Sequence, residues 1–197
     1  RFFSAAINGR GSCAAAFFIA RFVQLIFLFA NTFFIENEIT MQFPKANSFS
    51  QDSVLSKIMG PNPLKLCEEM ILTANEIVGN KAVSPSSVVL DLGSGTGITT
   101  ALLARSSDAR PTLLIFGATQ PKTLGLTNRQ IVPIKADASE GLPFAEGFFD
   151  AVVSIDSYNY FGRSAEYLDA KLLPYVKRGG IVALCFPGMK QDCHENP

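Results

Sequence analysis

The sequence has a single histidine, His194, next to Cys193 in a polar tail. A lone imidazole in such a setting is ordinarily solvated, so histidine-based acid–base chemistry is not where its function is expected. Cysteine is sparse too. Cys13, Cys67, Cys185 and Cys193 are scattered without a C-x-x-C spacing, which argues against a zinc site and gives no sign of a disulfide framework in a chain of this size. No metal site is expected, and reduced thiols in a cytoplasmic protein are the plain reading. Net charge is absent as well: 17 Lys and Arg offset 17 Asp and Glu. Long-range attraction to nucleic acid or anionic lipid is therefore not indicated, and a small or neutral partner fits better. The chain has no internal repeat and no low-complexity tract. Its 197 residues are enough for one domain with a proper core.

What the sequence has in excess is an apolar leader. Residues 13–35, "CAAAFFIARFVQLIFLFANTFFI", are long enough to span a bilayer. Arg21 falls near the middle, however, where a charge costs about 2.5 to 3.5 kcal/mol. Three readings stay open for residues 1–40: a membrane anchor, a signal peptide without a clear cleavage site, or a non-native extension ahead of Met41. From Met41 the composition becomes ordinary. Residues 41–86 read as a helical cap. Asn62 fits an N-cap, Pro63 the first helical position, and Leu64, Cys67, Met70, Ile71, Ala74 and Ile77 recur at helical spacing.

Residues 87–197 carry the pattern of a parallel sheet. Apolar runs at 88–92, 112–116, 131–135, 149–155 and 180–186 alternate with helical signals at 98–105 and after Ser164. This predicts an α/β fold of Rossmann-like type, a doubly wound and mostly parallel sheet with helices on both faces and right-handed crossovers. The 117–130 connection is barely long enough for a crossover helix. The pattern also predicts that C-terminal strands are missing, so the 87–197 domain is incomplete.

The first strand runs into "DLGSGTG", residues 91–97. A strand feeding a glycine turn and a helix N-terminus makes a cradle of backbone N–H groups where ligands of open α/β sheets bind. Gly93, Gly95 and Gly97 permit close approach. Ile98 stands where the last glycine of a dinucleotide fingerprint belongs, and the Gly-Lys-Ser/Thr ending of a nucleotide-binding loop is absent. Asp91 is a poor neighbour for a pyrophosphate and a good one for a cation.

The spacing of Asp91, Gly93, Ser94, Gly95, Thr96 and Gly97 resembles motif I of the class I S-adenosylmethionine-dependent methyltransferases, and "ADASEGLPFAEGFFDAVVS" (136–154) and "LLPYVKRGGIVAL" (172–184) resemble later landmarks of the family. The chain is most similar to the type 11 small-molecule group, which includes relatives of cyclopropane fatty acid synthases. The resemblance implies S-adenosyl-L-methionine as cofactor. The glycine turn would lie against its methionine and ribose, with Asp91 near the ammonium group. Asp137 would accept from the adenine amino group, and the Ala138 backbone would meet the ring edge. At the end of the second strand the family carries an acid for the ribose hydroxyls; here Gln120 stands closest, able to accept one hydrogen bond without the charge.

Methyl transfer from a sulfonium is an in-line displacement governed by alignment, so a dedicated base is optional. The acceptor side falls on "SIDSYNYFG", 154–162. Asp156 there can orient or deprotonate an acceptor, and Tyr158 and Tyr160 can wall the pocket or meet the sulfonium by cation–π contact. Packing of Tyr158, Tyr160 and Phe161, and a plain loop carboxylate at Asp156, remain the alternatives. The expected function is methyl transfer to a small-molecule acceptor in the cytoplasm, without nucleic acid, and with a membrane only if 13–35 is an anchor. The alternatives are a non-catalytic methyltransferase remnant and, further off, an NAD(P)-dependent oxidoreductase.

Overall fold

A computed structural model describes residues 14–20, 23–29, 43–58, 61–78, 83–84, 86–107, 110–114, 131–164 and 166–186. The 117–130 connection, Gln120, Cys13, Cys193 and His194 lie outside the described residues.

The strands are β1 (Ala14–Ala20), β2 (Val23–Phe29), β3 (Val88–Leu92), β4 (Arg110–Leu114), β5 (Val132–Ile134), β6 (Phe149–Ile155) and β7 (Val176–Phe186). They form one sheet in the order β1-β2-β7-β6-β3-β4-β5. The pairs from β2 through to β5 are parallel, and only β1 runs antiparallel, against β2. The doubly wound sheet expected from the apolar runs is therefore present. The leader supplies the surprise. Its two apolar halves, separated at residues 21 and 22, form a hairpin whose second strand pairs with β7 from Gln24 opposite Ile181 to Phe29 opposite Phe186. Runs rich in Phe, Ile and Val suit strands as well as helices, and an available edge at β7 decides between them. Among the described residues, no helix is long and apolar enough to cross a membrane.

The helices are α1 (Pro44–Asn47), α2 (Gln51–Leu55), α3 (Pro63–Val78), α4 (Ile98–Ser107) and α5 (Tyr158–Phe161). Asn62 caps α3 as its sequence suggests, its Oδ1 accepting from the backbone N–H of Leu64 at 3.1 Å and of Lys65 at 3.3 Å. The helix expected after Ser164 is instead a π-helical turn, Leu168–Leu172, followed by a 3-10 turn, Leu173–Tyr175. Pro174, which lacks an N–H, sits inside the 3-10 turn, beyond the end of the π-helical one. β7 starts at Val176, four residues before the expected position.

Strand alternation divides the core in two. Val89, Ala151, Val153, Ile155, Ile181, Ala183 and Cys185 face α3 and α4. Leu90, Leu92, Val152, Val182 and Leu184 face the opposite layer, built from α5, the π-helical segment and the loop around Leu142. α4 is buried on every side from Ile98 to Ala104, so the polar groups it carries need protein partners.

The cap is tied to this frame through Glu68, a carboxylate only 3% exposed. It accepts from the backbone N–H of Lys45 at 3.2 Å and of Ala46 at 2.7 Å, holding the start of α1 against α3. Glu68→Ala strands those two donors and is expected to cost about 2 kcal/mol, read as a melting temperature roughly 4 to 8 °C lower. Glu68→Gln, which keeps an acceptor, is expected to lose about half as much. An unchanged melting temperature in Glu68→Ala would mean the cap is not held this way.

Candidate functional site

The chain leaves β3 at Leu92, turns through residues 93–97 and enters α4 at Ile98. Gly93, Gly95 and Gly97 all have positive φ, at 76°, 54° and 80°. The turn is closed by the Gly97 N–H donating to the Ser94 carbonyl at 2.8 Å. Gly93 and Gly95 serve different ends. A Cβ on Gly93 would lie 2.5 Å from Ser157 Oγ and 2.7 Å from Ser157 Cβ, whereas one on Gly95 would meet nothing within 4 Å. Gly93 is required by the neighbouring strand end. Gly95 is required by its backbone conformation and leaves open space above the turn.

That space is a cavity of about 500 Å³ lined by Gly93, Gly95, Asp137, Ser139, Asp156, Ser157, Tyr160 and Phe161. It lies at the carboxyl ends of β3, β5 and β6, where open parallel sheets bind ligands. The volume is in the range of small-molecule and cofactor sites.

Asp137 sits in the loop after β5 with its side chain exposed, and its Oδ1 accepts from both the backbone N–H and the hydroxyl of Ser139, at 2.9 and 2.7 Å. These bonds from Ser139 hold its carboxyl below the usual value. Asp156 directly follows β6 and is the one described non-glycine residue with positive φ, 52°. Such a conformation costs about 1 to 3 kcal/mol and persists where the surroundings impose it. Here the Asp156 N–H donates to the Cys185 carbonyl on β7 at 2.7 Å. Partial burial raises the Asp156 carboxyl above its ordinary value. Tyr160 is 72% exposed and stands at the rim.

Other residues singled out from the sequence stand behind the cavity. The alternation of β3 turns Asp91 toward α4, where it is 1% exposed. Its Oδ2 accepts from Thr99 Oγ1 at 2.6 Å and Thr100 Oγ1 at 2.5 Å. Burial raises its carboxyl from 3.8 to about 6, against the pull of the two threonines. Ser94 is buried. Thr96 donates through Oγ1 to the Lys57 carbonyl at 3.0 Å, tying the turn to the cap. Ala138 is fully buried, and its carbonyl accepts from the Tyr167 hydroxyl at 2.7 Å.

Tyr158 does not wall the cavity. Its ring is buried against Phe161, Tyr167 and Phe186, and burial, with the Asp169 charge second, raises its hydroxyl. Two residues apart on one short helix, Tyr158 and Tyr160 point to different sides, so only one can meet the cavity.

Ser139, Ser157 and Phe161 belong to the cavity without having been singled out as site residues. Ser139 is legible as the second residue after an aspartate, the spacing of an Asx turn. Ser157 carries no such signal. Its hydroxyl donates to the Leu92 carbonyl at 3.0 Å and pairs with Ser154 Oγ at 2.8 Å, locking the end of β6 to the end of β3.

Residues 90–184 match a family model described as a methyltransferase domain. No curated protein matches the chain. Among solved structures, a proposed S-adenosyl-L-methionine-dependent methyltransferase from Methanococcus maripaludis is 21% identical, with 58% of this chain and 55% of that one covered and a TM-score of 0.44. An S-adenosylmethionine-dependent methyltransferase from Geobacter sulfurreducens in complex with S-adenosyl-L-homocysteine is 21% identical, with 59% and 47% covered and a TM-score of 0.45. A geranyl diphosphate methyltransferase in complex with its diphosphate and sinefungin is 16% identical, with 64% and 47% covered and a TM-score of 0.49. The chain spans about half the length of each.

Proposed function

We propose that the cavity above the glycine turn binds S-adenosyl-L-methionine and that the chain transfers its methyl group to a small-molecule acceptor, a reading supported by the match of residues 90–184 to the methyltransferase domain model. One observation carries this reading: the acidic side chains among the described lining residues are the carboxylates Asp137 and Asp156, with no cationic side chain beside them, next to a turn in which three of the five residues are glycine. A lining of that sign suits a ligand with ammonium and sulfonium charges and repels a pyrophosphate. The open face at Gly95 leaves room for the methionine end of such a ligand.

When bound, S-adenosylmethionine supplies an electrophilic methyl group on a sulfonium. The residues of this chain bind and orient. The Gly93–Gly97 backbone receives the amino acid and ribose portion, and Asp91 places a negative charge behind it. Asp137, which lines the cavity after β5, addresses the adenine. Asp156 faces the acceptor, orienting a donor group or taking up its proton, and Tyr160 closes the rim with its ring free for cation–π contact.

The full chain is expected to show a thermal shift with S-adenosylhomocysteine and none with NAD. A shift with neither would favour a non-catalytic remnant, and a shift with NAD alone would replace the methyltransferase reading by an oxidoreductase.

A further inference from the structure

We propose that Thr99 and Thr100 are positioning residues for this cavity: their hydroxyls tie the first turn of α4 to the end of β3 and fix the Asp91 carboxylate beneath the glycine turn. The inference rests on the reading of the cavity as an S-adenosylmethionine site.

The turn is a five-residue loop, 93–97, between β3 and α4. Asp91 precedes it and the two threonines follow it, so the hydrogen bonds to Asp91 Oδ2 close the loop at its base. Neighbouring residues on a helix diverge by about 100°, yet both hydroxyls converge on one oxygen, Asp91 Oδ2. Both threonines are buried, 4% and 0% exposed. A buried helix threonine ordinarily donates back to the carbonyl four residues earlier. For Thr99 and Thr100 those carbonyls belong to Gly95 and Thr96, within the turn itself; donation to Asp91 leaves the turn carbonyls out of that pairing.

The carboxylate depends on these donors. The titratable groups on the elements packed around it are Cys67 and Glu68 of α3 and Cys185 of β7. Burial first, then the charges of Asp91, Cys185 and Glu68, hold the Cys67 thiol well above its ordinary value, so it stays neutral. The Glu68 carboxylate is occupied by the cap. Among the described residues, no salt bridge reaches Asp91, and the two hydroxyls are the side-chain donors that offset its burial. Losing them leaves a buried anion that takes up a proton at higher pH and releases the base of the turn.

The test uses the full chain with Thr99→Val and Thr100→Val, singly and together, and Thr99→Ser as the conservative variant. S-adenosylhomocysteine affinity is measured by calorimetry from pH 5 to 8.5, and the Asp91 carboxyl is titrated by carbon NMR in ligand-free protein. Wild type is expected to lose about tenfold in affinity as pH falls through about 6. In the double variant both midpoints are expected to rise by about one pH unit or more, with Thr99→Ser close to wild type. Single valine variants are read in the same way, with smaller displacements, should the double variant not fold. Unmoved midpoints, with affinity kept or lost equally at every pH, overturn the proposal. Should wild type bind no S-adenosylhomocysteine at any pH, the methyltransferase reading fails, and the carboxyl titration alone decides the clamp.

Discussion

Gly93→Ala is expected to abolish the thermal shift with S-adenosylhomocysteine and to lower the melting temperature of the free protein by roughly 6 to 12 °C. Two effects add. The residue has φ of 76°, a conformation that costs a side-chain-bearing residue about 1 to 2 kcal/mol. The new Cβ would also lie 2.5 Å from Ser157 Oγ and 2.7 Å from its Cβ. Ser157 cannot swing aside freely, because its hydroxyl bridges the Leu92 carbonyl and Ser154. The strand ends must part, for a total near about 3 kcal/mol. Gly95→Ala is the control. With nothing within 4 Å of its Cβ it bears the backbone strain alone, and about 1 kcal/mol is expected. Adding Ser157→Gly to Gly93→Ala relieves the overlap and is expected to recover part of the loss. A Gly93→Ala protein that still shifts with the ligand would place the ligand elsewhere.

Asp91→Asn is expected to separate stability from binding. Burial moves the Asp91 carboxyl from 3.8 to about 6 in the folded chain, so folding favours its protonated form. The stabilisation is complete below the unfolded value of 3.8 and is lost as pH rises through about 6. Above that range the ionised group costs about 3 kcal/mol. Asparagine does not ionise and keeps an oxygen for Thr99 and Thr100, while its buried amide N–H groups return part of the gain. The variant should therefore melt roughly 3 to 6 °C higher than wild type at pH 7.5, lose this contribution to the pH dependence between about 4 and 6, and bind S-adenosylhomocysteine at least about tenfold more weakly. A lower melting temperature at pH 7.5 would show that the buried charge is not a cost. Undiminished affinity would remove the role of the charge behind the turn.

Local rules written along the chain settled much of the architecture. Val88–Leu92 and Phe149–Ile155 are strands with the limits their apolar runs suggest, Asn62 caps α3, and the glycines at 93, 95 and 97 mark a turn whose backbone excludes ordinary side chains. Each is decided within a few residues, by hydrogen-bonding groups or steric limits that travel with the sequence. Which way a side chain faces, and what waits there, is decided by elements far apart in the chain. Packing of α4 against β3 directs Asp91 to two threonines rather than to the cavity wall. The junction of β6 with β3 places Ser157 against Gly93, and the core above β7 claims Tyr158 while Tyr160 stays at the rim. The apolar leader is the plainest case. Its composition suited a helix or a strand equally, and the open edge of β7 supplied the backbone partners that made it a strand.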